Sequence, residues 1–245
     1  ADVHKHGMLA WMLDYLTRKD KPLSYIETHA GRALYDLAAP EAMKTGEAAR
    51  GIGRVSDWFN GAPLGRVLAA ARAVGPQMYP GSPFIAGELL RGEDSLTLAE
   101  LHPQENAVLA EAMLPYPAMV KQIDGFQLAM SMTPPTPRRG LLLCDPSYEV
   151  KADYAAIPDF FRKVHRRWPV GILVLWYPIL VDARHAPMVT ALKAAIPDGV
   201  AHEVAFAPAR PGHGMVGSGL FVVNPPYGFA DAAKEMSKRF AALKD

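Results

Sequence analysis

The chain reads as an α/β protein on a mainly parallel, doubly wound seven-stranded sheet whose last strand is antiparallel, with a small helical insert near its start. Three observations predict this. Apolar runs closed by turn residues recur seven times along the sequence. Helical stretches separate most of them, the alternation that favours parallel strands joined by crossovers. Between Ala207 and Gly219 there is only a loop, containing Pro208-Ala209-Arg210-Pro211-Gly212-His213-Gly214. It is too short for a helical crossover, so the seventh strand should run against the sixth.

The elements follow in order. Asp2 to Arg18 carries Met8, Leu9, Met12, Leu13 and Leu16 at helical spacing. After Lys21-Pro22 comes the first strand, Leu23 to Glu27, running into Thr28-His29-Ala30-Gly31. Residues 36–79 are rich in Ala, Gly and Arg, with helical patches such as Arg66 to Ala73, and their Leu, Val and Trp58-Phe59 argue against a disordered loop. They read as a helical insert subdomain, leaving 1–35 and 80–245 as the main domain. A helix restarts at Pro80-Gly81-Ser82-Pro83, with Ser82 in the N-cap role and Pro83 at the first helical position. The remaining strands are Leu96 to Leu101, Ala118 to Ile123, Gly140 to Cys144, Gly171 to Trp176, Ala201 to Ala207 and Gly219 to Val223. Helices at Gln104 to Met113, Tyr154 to Arg167 and Ala183 to Ala195 lie among them. Seven strands with the last reversed is the Rossmann-like pattern of class I methyltransferases that use S-adenosylmethionine.

Composition sets the bounds. At 245 residues and 50% hydrophobic content the chain can bury a full core. A formal charge of +1 does not announce a nucleic-acid binder, so any basic surface must be local. Arg138-Arg139 and Arg162-Lys163 with Arg166-Arg167 are the candidate patches, although helix charges are more often a solvated face. Cys144 alone cannot form an internal disulfide and sits in an apolar run, which points to packing and a reducing, cytoplasmic compartment. No apolar stretch approaches the ~20 residues of a membrane span, and no secretory signal is read at the start, where Ala1 stands instead of an initiator Met.

Ligands of open α/β sheets bind beyond the carboxyl ends of the strands, near the switch in strand order. Four such ends carry suitable groups. His29 and Gly31 close the first, Glu100 the second, Asp124-Gly125-Phe126 the third and Asp145 the fourth. Glu100 could accept from ribose hydroxyls and Asp124 from an adenine amine, while Phe126 covers a ring face. Singly, each acid reads as a turn or cap residue; acids ending three successive strands are harder to dismiss. Glu100 follows Gly31 by 69 residues, where a plain nucleotide fold needs roughly 20, and the insert accounts for the excess. A nicotinamide enzyme is the competing reading, but Gly31-Arg32-Ala33 lacks the glycines of that signature.

Asp145-Pro146-Ser147-Tyr148, after Leu141-Leu142-Leu143-Cys144, looks like the acceptor motif of an amino-group methyltransferase. Such a site must hold the N–H groups of a conjugated amine on fixed acceptors. Asp145 and the Pro146 carbonyl are candidates, with Tyr148 to stack on a base swung out of its helix. Asn224-Pro225-Pro226-Tyr227 matches the same motif letter for letter. In the methyltransferase strand order, however, it lies roughly 14 Å from the first strand, at the opposite edge, so it is assigned to a structural turn.

Several motifs together resemble the RlmJ-type 23S ribosomal RNA adenine-N6 methyltransferases. They are Asp2-Val3-His4-Lys5-His6, Thr28-His29-Ala30-Gly31, Tyr79-Pro80-Gly81-Ser82-Pro83, Glu100-Leu101-His102-Pro103, Asp124-Gly125-Phe126, Asp145-Pro146-x-Tyr148-Glu149, Leu175-Trp176-Tyr177-Pro178 and Asn224-Pro225-Pro226, collinear over nearly the whole chain. The resemblance implies that Lys5, His6, His29, Ser82, Glu100, Asp124 and Gly125 contact S-adenosylmethionine, with Asp145 at both donor and acceptor; Gly31 joins them as the strand-end glycine that lets the backbone approach the cofactor. It also implies an RNA-facing insert, a ribosomal RNA substrate met protein-free or early in assembly, and no metal. Ser147 stands where the family has a second proline, Ala33 replaces a second glycine, and the family's opening Tyr and His residues lie upstream of Ala1. Two alternatives stay open: a DNA adenine-N6 methyltransferase, and a catalytically impaired relative that binds nucleic acid.

Overall fold

The computed structural model describes residues 1–40, 51–149, 152–208, 212 and 214–243. Nine strands and nine α-helices are present among these residues. The main sheet contains β1 (Ser24–Glu27), β4 (Ser95–Ala99), β5 (Ala118–Lys121), β6 (Gly140–Cys144), β7 (Ile172–Leu180), β8 (Val200–Ala205) and β9 (Met215–Val223). Their spatial order is β5-β4-β1-β6-β7-β9-β8. β9 alone runs antiparallel to both its neighbours. The strand order therefore switches at β1, between β4 on one side and β6 on the other.

The central strands are buried on both faces, which explains why Leu141-Leu142-Leu143-Cys144 is an unbroken apolar run. Helix α1 (Asp2–Thr17) packs against α3 (Pro63–Val74), α4 (Ser82–Leu89), α9 (Phe229–Ala241) and β9. Every residue from Val3 to Ala10 is buried, so its N-terminal half is a core helix all round. On other parts of the sheet lie α5 (Pro103–Ala112), α6 (Gly125–Met132), α7 (Ala152–Arg167) and α8 (His185–Ala195).

The structure adds an element that sequence spacing did not reveal. Strands β2 (Leu34–Asp36) and β3 (Met78–Pro80) form an antiparallel ribbon. Between them are α2 (Ile52–Val55), a 3₁₀ turn over Ser56–Phe59, and α3. The part of the insert at 41–50 lies outside the described residues. The described part shares the protein's core: Phe59 presses on Gly7, and the Trp58 ring meets Phe240 edge-on. Two further expectations are corrected. Ser82 does not cap α4, because Gly81 occupies that position and the Ser82 hydroxyl is committed to Glu27. β7 runs on to Leu180 and β9 starts at Met215, so this pair is longer than its apolar runs suggested.

Candidate active site

β5, β4, β1 and β6 are adjacent and parallel, so their carboxyl ends bring Asp124, Glu100, His29 and Asp145 to one edge of the sheet. Gly31, at φ +63°, turns the chain so that its N–H donates to Glu100 Oε2 at 2.9 Å. Glu100 Oε1 accepts from the His102 N–H at 2.8 Å. Both carboxylate oxygens are thus oriented by main chain, and the remaining lone pairs can accept from a ligand. Asp124 caps α6 by accepting from the Gln127 N–H at 2.8 Å. Gly125 lies so close to the end of β1 that a Cβ there would stand 1.8 Å from the Thr28 carbonyl oxygen. His29 takes a hydrogen bond with the Thr28 hydroxyl at 2.7 Å and meets Phe126 edge-on. Burial lowers its pKa against the pull of Asp145, Asp124 and Glu100.

Asp145 is bound to a cation. The Lys5 ammonium of α1 donates to Asp145 and sits 3.1 Å from Asp2, 5.3 Å over the Trp176 ring. Burial would lower the Lys5 pKa, but Asp145 and Asp2 outweigh it and hold the ammonium charged. Burial raises the Asp145 pKa, while Lys5 works in the other direction. His6 bonds the Tyr79 hydroxyl at 2.8 Å and is kept neutral, its pKa lowered to about 3 by burial and by Lys5.

Glu27, at the end of β1, was not singled out by sequence. It is completely buried and accepts from the Tyr25 hydroxyl at 2.9 Å and from Ser82. Burial pushes its pKa up to about 8 despite those two donors. The signal available was a lone acid closing an apolar strand just before Thr28-His29. A second arrangement was also missed: His4 joins Ser218 at 2.9 Å and His202 at 2.9 Å, His202 reaches Ser237 at 2.8 Å, and the Trp176 indole N–H donates to Ser218 at 2.9 Å. This chain locks the residue before Lys5 to β8, β9 and α9.

Pro146 is buried and Ser147 exposed. Tyr148, at φ +59°, is 7% exposed and donates to the Trp176 carbonyl at 2.6 Å, beside the rings of Tyr154 and Trp176. Its face is covered here instead of being offered to a base. Ala33 adopts φ +32°, yet its methyl group joins the core. Asn224 ties the far edge, donating to the carbonyls of Pro169 and Gly171 at 2.8 Å each, and Val223 pairs with Leu173 near the start of β7. A cleft of about 480 Å³ at that far edge is lined by Asp14, Arg18, Arg66, Glu88 and Arg91, away from the acids above. Among the described residues no helix is long and apolar enough to cross a membrane.

Residues 20–242 match the family model described as Ribosomal RNA large subunit methyltransferase D, RlmJ. The chain is 39% identical over 236 residues to the Ribosomal RNA large subunit methyltransferase J of Escherichia coli K12, covering 93% of this chain and 84% of that protein. The protein of that name from Haemophilus influenzae is 34% identical over 244 residues, covering 96% and 87%. A crystal structure of a Legionella pneumophila protein superposes with a TM-score of 0.87 at 33% identity, covering 97% of this chain and 90% of that one.

Proposed function

The chain belongs to the RlmJ family of ribosomal RNA large subunit methyltransferases, and from that premise we propose that it transfers a methyl group from S-adenosylmethionine to the N6 amine of an adenine in 23S ribosomal RNA. The observation that carries this is the placement of Asp145 beside the switch point of the sheet, one strand from the His29 and Gly31 turn and two from Glu100.

The residues present fit the donor. Gly125 packs directly against the Thr28 backbone, where any Cβ would collide, which holds Asp124 next to the end of β1, and Glu100 has its oxygens fixed with acceptor capacity to spare. Lys5, His6, His29, Gly31, Ser82, Glu100, Asp124 and Gly125 are the assigned contacts, the first for a carboxylate and Glu100 for the ribose. When bound, S-adenosylmethionine supplies an electrophilic methyl group on a sulfonium. The protein's work is orientation. Asp145 and the Pro146 carbonyl accept the two N–H groups of the amine, favouring the loss of planarity at nitrogen that bond formation demands. Asp145 must first exchange Lys5 for this partner. Tyr148 would stack on the extruded base, which requires its ring to leave the cover seen here. The main domain is taken as 1–35 and 80–245, with 36–79 facing RNA, and the substrate as protein-free or early-assembly RNA in the cytoplasm. Mass spectrometry of ribosomal RNA from cells with and without the protein tests the reading: one N6-methyladenosine in the large-subunit RNA should vanish with the protein, and an unchanged modification profile would refute it.

A further inference from the structure

The strand-end donor contacts His29, Gly31, Glu100, Asp124 and Gly125 lie on the β1, β4 and β5 side of Asp145, with Lys5 reaching Asp145 from α1 over the Trp176 ring, which leaves the outer β7 side for the nucleic acid. There the structure leaves two buried side-chain atoms without a hydrogen-bond partner among the described residues, the Tyr154 hydroxyl and His185 Nδ1. Tyr154, on the first turn of α7, packs its ring 4.7 Å from Tyr148. Its hydroxyl is shielded from solvent yet has no hydrogen-bond partner among the described residues. A buried donor without an acceptor costs roughly 1–3 kcal/mol, and such groups in folded proteins call for an explanation. α8 packs against α7, which sets the turn after β7 alongside the start of α7; on that turn Arg184 is 41% exposed and, among the described residues, pairs with Asp182 of its own loop. The Arg184 charge is near enough to bias the Tyr154 phenol, lowering a pKa that burial raises, with Asp182 opposing.

A donor hydroxyl and a guanidinium together suit a phosphate oxygen. We propose that when the Tyr148 ring leaves its cover the Tyr154 hydroxyl behind it is exposed, and that Tyr154 and Arg184 then bind the backbone phosphate next to the target nucleotide, placing the extruded base over Asp145. The assignment rests on the functional reading above and extends it to a residue pair that fixes the RNA strand. Tyr154 also backs the Tyr148 ring, so strand capture and the uncovering of Tyr148 share one contact.

The test compares wild type, Tyr154→Phe and Arg184→Gln for affinity toward protein-free large-subunit ribosomal RNA across a salt series. Methyl transfer, S-adenosylmethionine binding and melting temperature are measured in parallel. Both variants should bind RNA about 5- to 20-fold more weakly, in line with the loss of one charge-assisted contact. Arg184→Gln should reduce the slope of log affinity against log salt by about 0.7–0.9. Donor affinity should not change, and Tyr154→Phe should melt no lower than wild type, since the lost hydroxyl has no partner among the described residues. RNA affinity equal to wild type in both variants, with methyl transfer intact, overturns the proposal and leaves the enzyme assignment standing. Weakened RNA binding by the variants of a wild type that transfers no methyl group would uphold this contact and sink the enzyme reading. No RNA binding by the wild type would end both.

Discussion

Replacing Glu27 by Gln probes whether this site keeps a carboxyl group neutral near physiological pH. Glu27 is completely buried at the end of β1, and burial takes its pKa from 4.5 to about 8. Between those values the unfolded chain has released a proton that the folded protein still holds, so stability falls as pH rises through that window. At about 1.36 kcal/mol per pH unit, this penalty grows by about 3 kcal/mol from pH 5 to pH 7.5. Gln reproduces the neutral form and carries no such penalty. Any strain from its amide facing the Tyr25 and Ser82 hydroxyls is the same at both pH values and cancels in the comparison. The stability of Glu27→Gln relative to wild type should therefore improve by about 3 kcal/mol between pH 5 and pH 7.5, or about 6–12 °C in melting temperature for a chain of this size. Thermal and urea unfolding followed by circular dichroism would measure it. An equal difference between the two proteins at both pH values would refute the reasoning, because Glu27 would then be ionised in the fold.

Other consequences are equally direct. Gly125→Ala forces a methyl group onto the Thr28 carbonyl, which should destabilise by about 1–3 kcal/mol in urea unfolding and weaken donor binding at least tenfold by calorimetry. Tyr148→Phe leaves the Trp176 carbonyl without its 2.6 Å partner and should cost about 1–3 kcal/mol by the same unfolding measurement. Burial keeps His4 neutral in the fold, its pKa well below 6.5, with His202 acting in the same direction. The unfolded state thus binds the extra proton, and stability present above pH 6.5 is lost on acidification, by up to about 1.4 kcal/mol per unit for this group. The decline in unfolding free energy below pH 6.5 should be shallower in His4→Gln; parallel curves would show that His4 does not titrate this way.

The main sheet was legible because each strand is a short apolar run closed by turn chemistry, and the missing helix between Ala207 and Gly219 gave away the reversed strand. The β2–β3 ribbon was not, because three-residue strands on either side of the insert leave no periodic trace. Ser82 beside Pro83 carries a helix-start signature, and only the fold shows that a buried carboxylate competes for its hydroxyl. The identities of Lys5 and Asp145 were readable from motifs; their pairing joins residues 140 apart in sequence and depends on α1 crossing the sheet edge. The same holds for His4, whose partners Ser218 and His202 are 214 and 198 residues away. Tyr148 was recognised by its place in the motif, but its orientation follows from φ +59° and the Trp176 carbonyl, neither of which is written in local sequence.

Methyl transfer by this chain depends most directly on Asp145 as the acceptor for the substrate amine. Single-turnover methylation of protein-free large-subunit ribosomal RNA by Asp145→Ala, with S-adenosylmethionine affinity measured on the same preparation, addresses it. The expected result is a loss of transfer by at least a hundredfold, about 2.7 kcal/mol or more of transition-state stabilisation, with donor binding within a few-fold of wild type. Transfer at the wild-type rate would contradict the account.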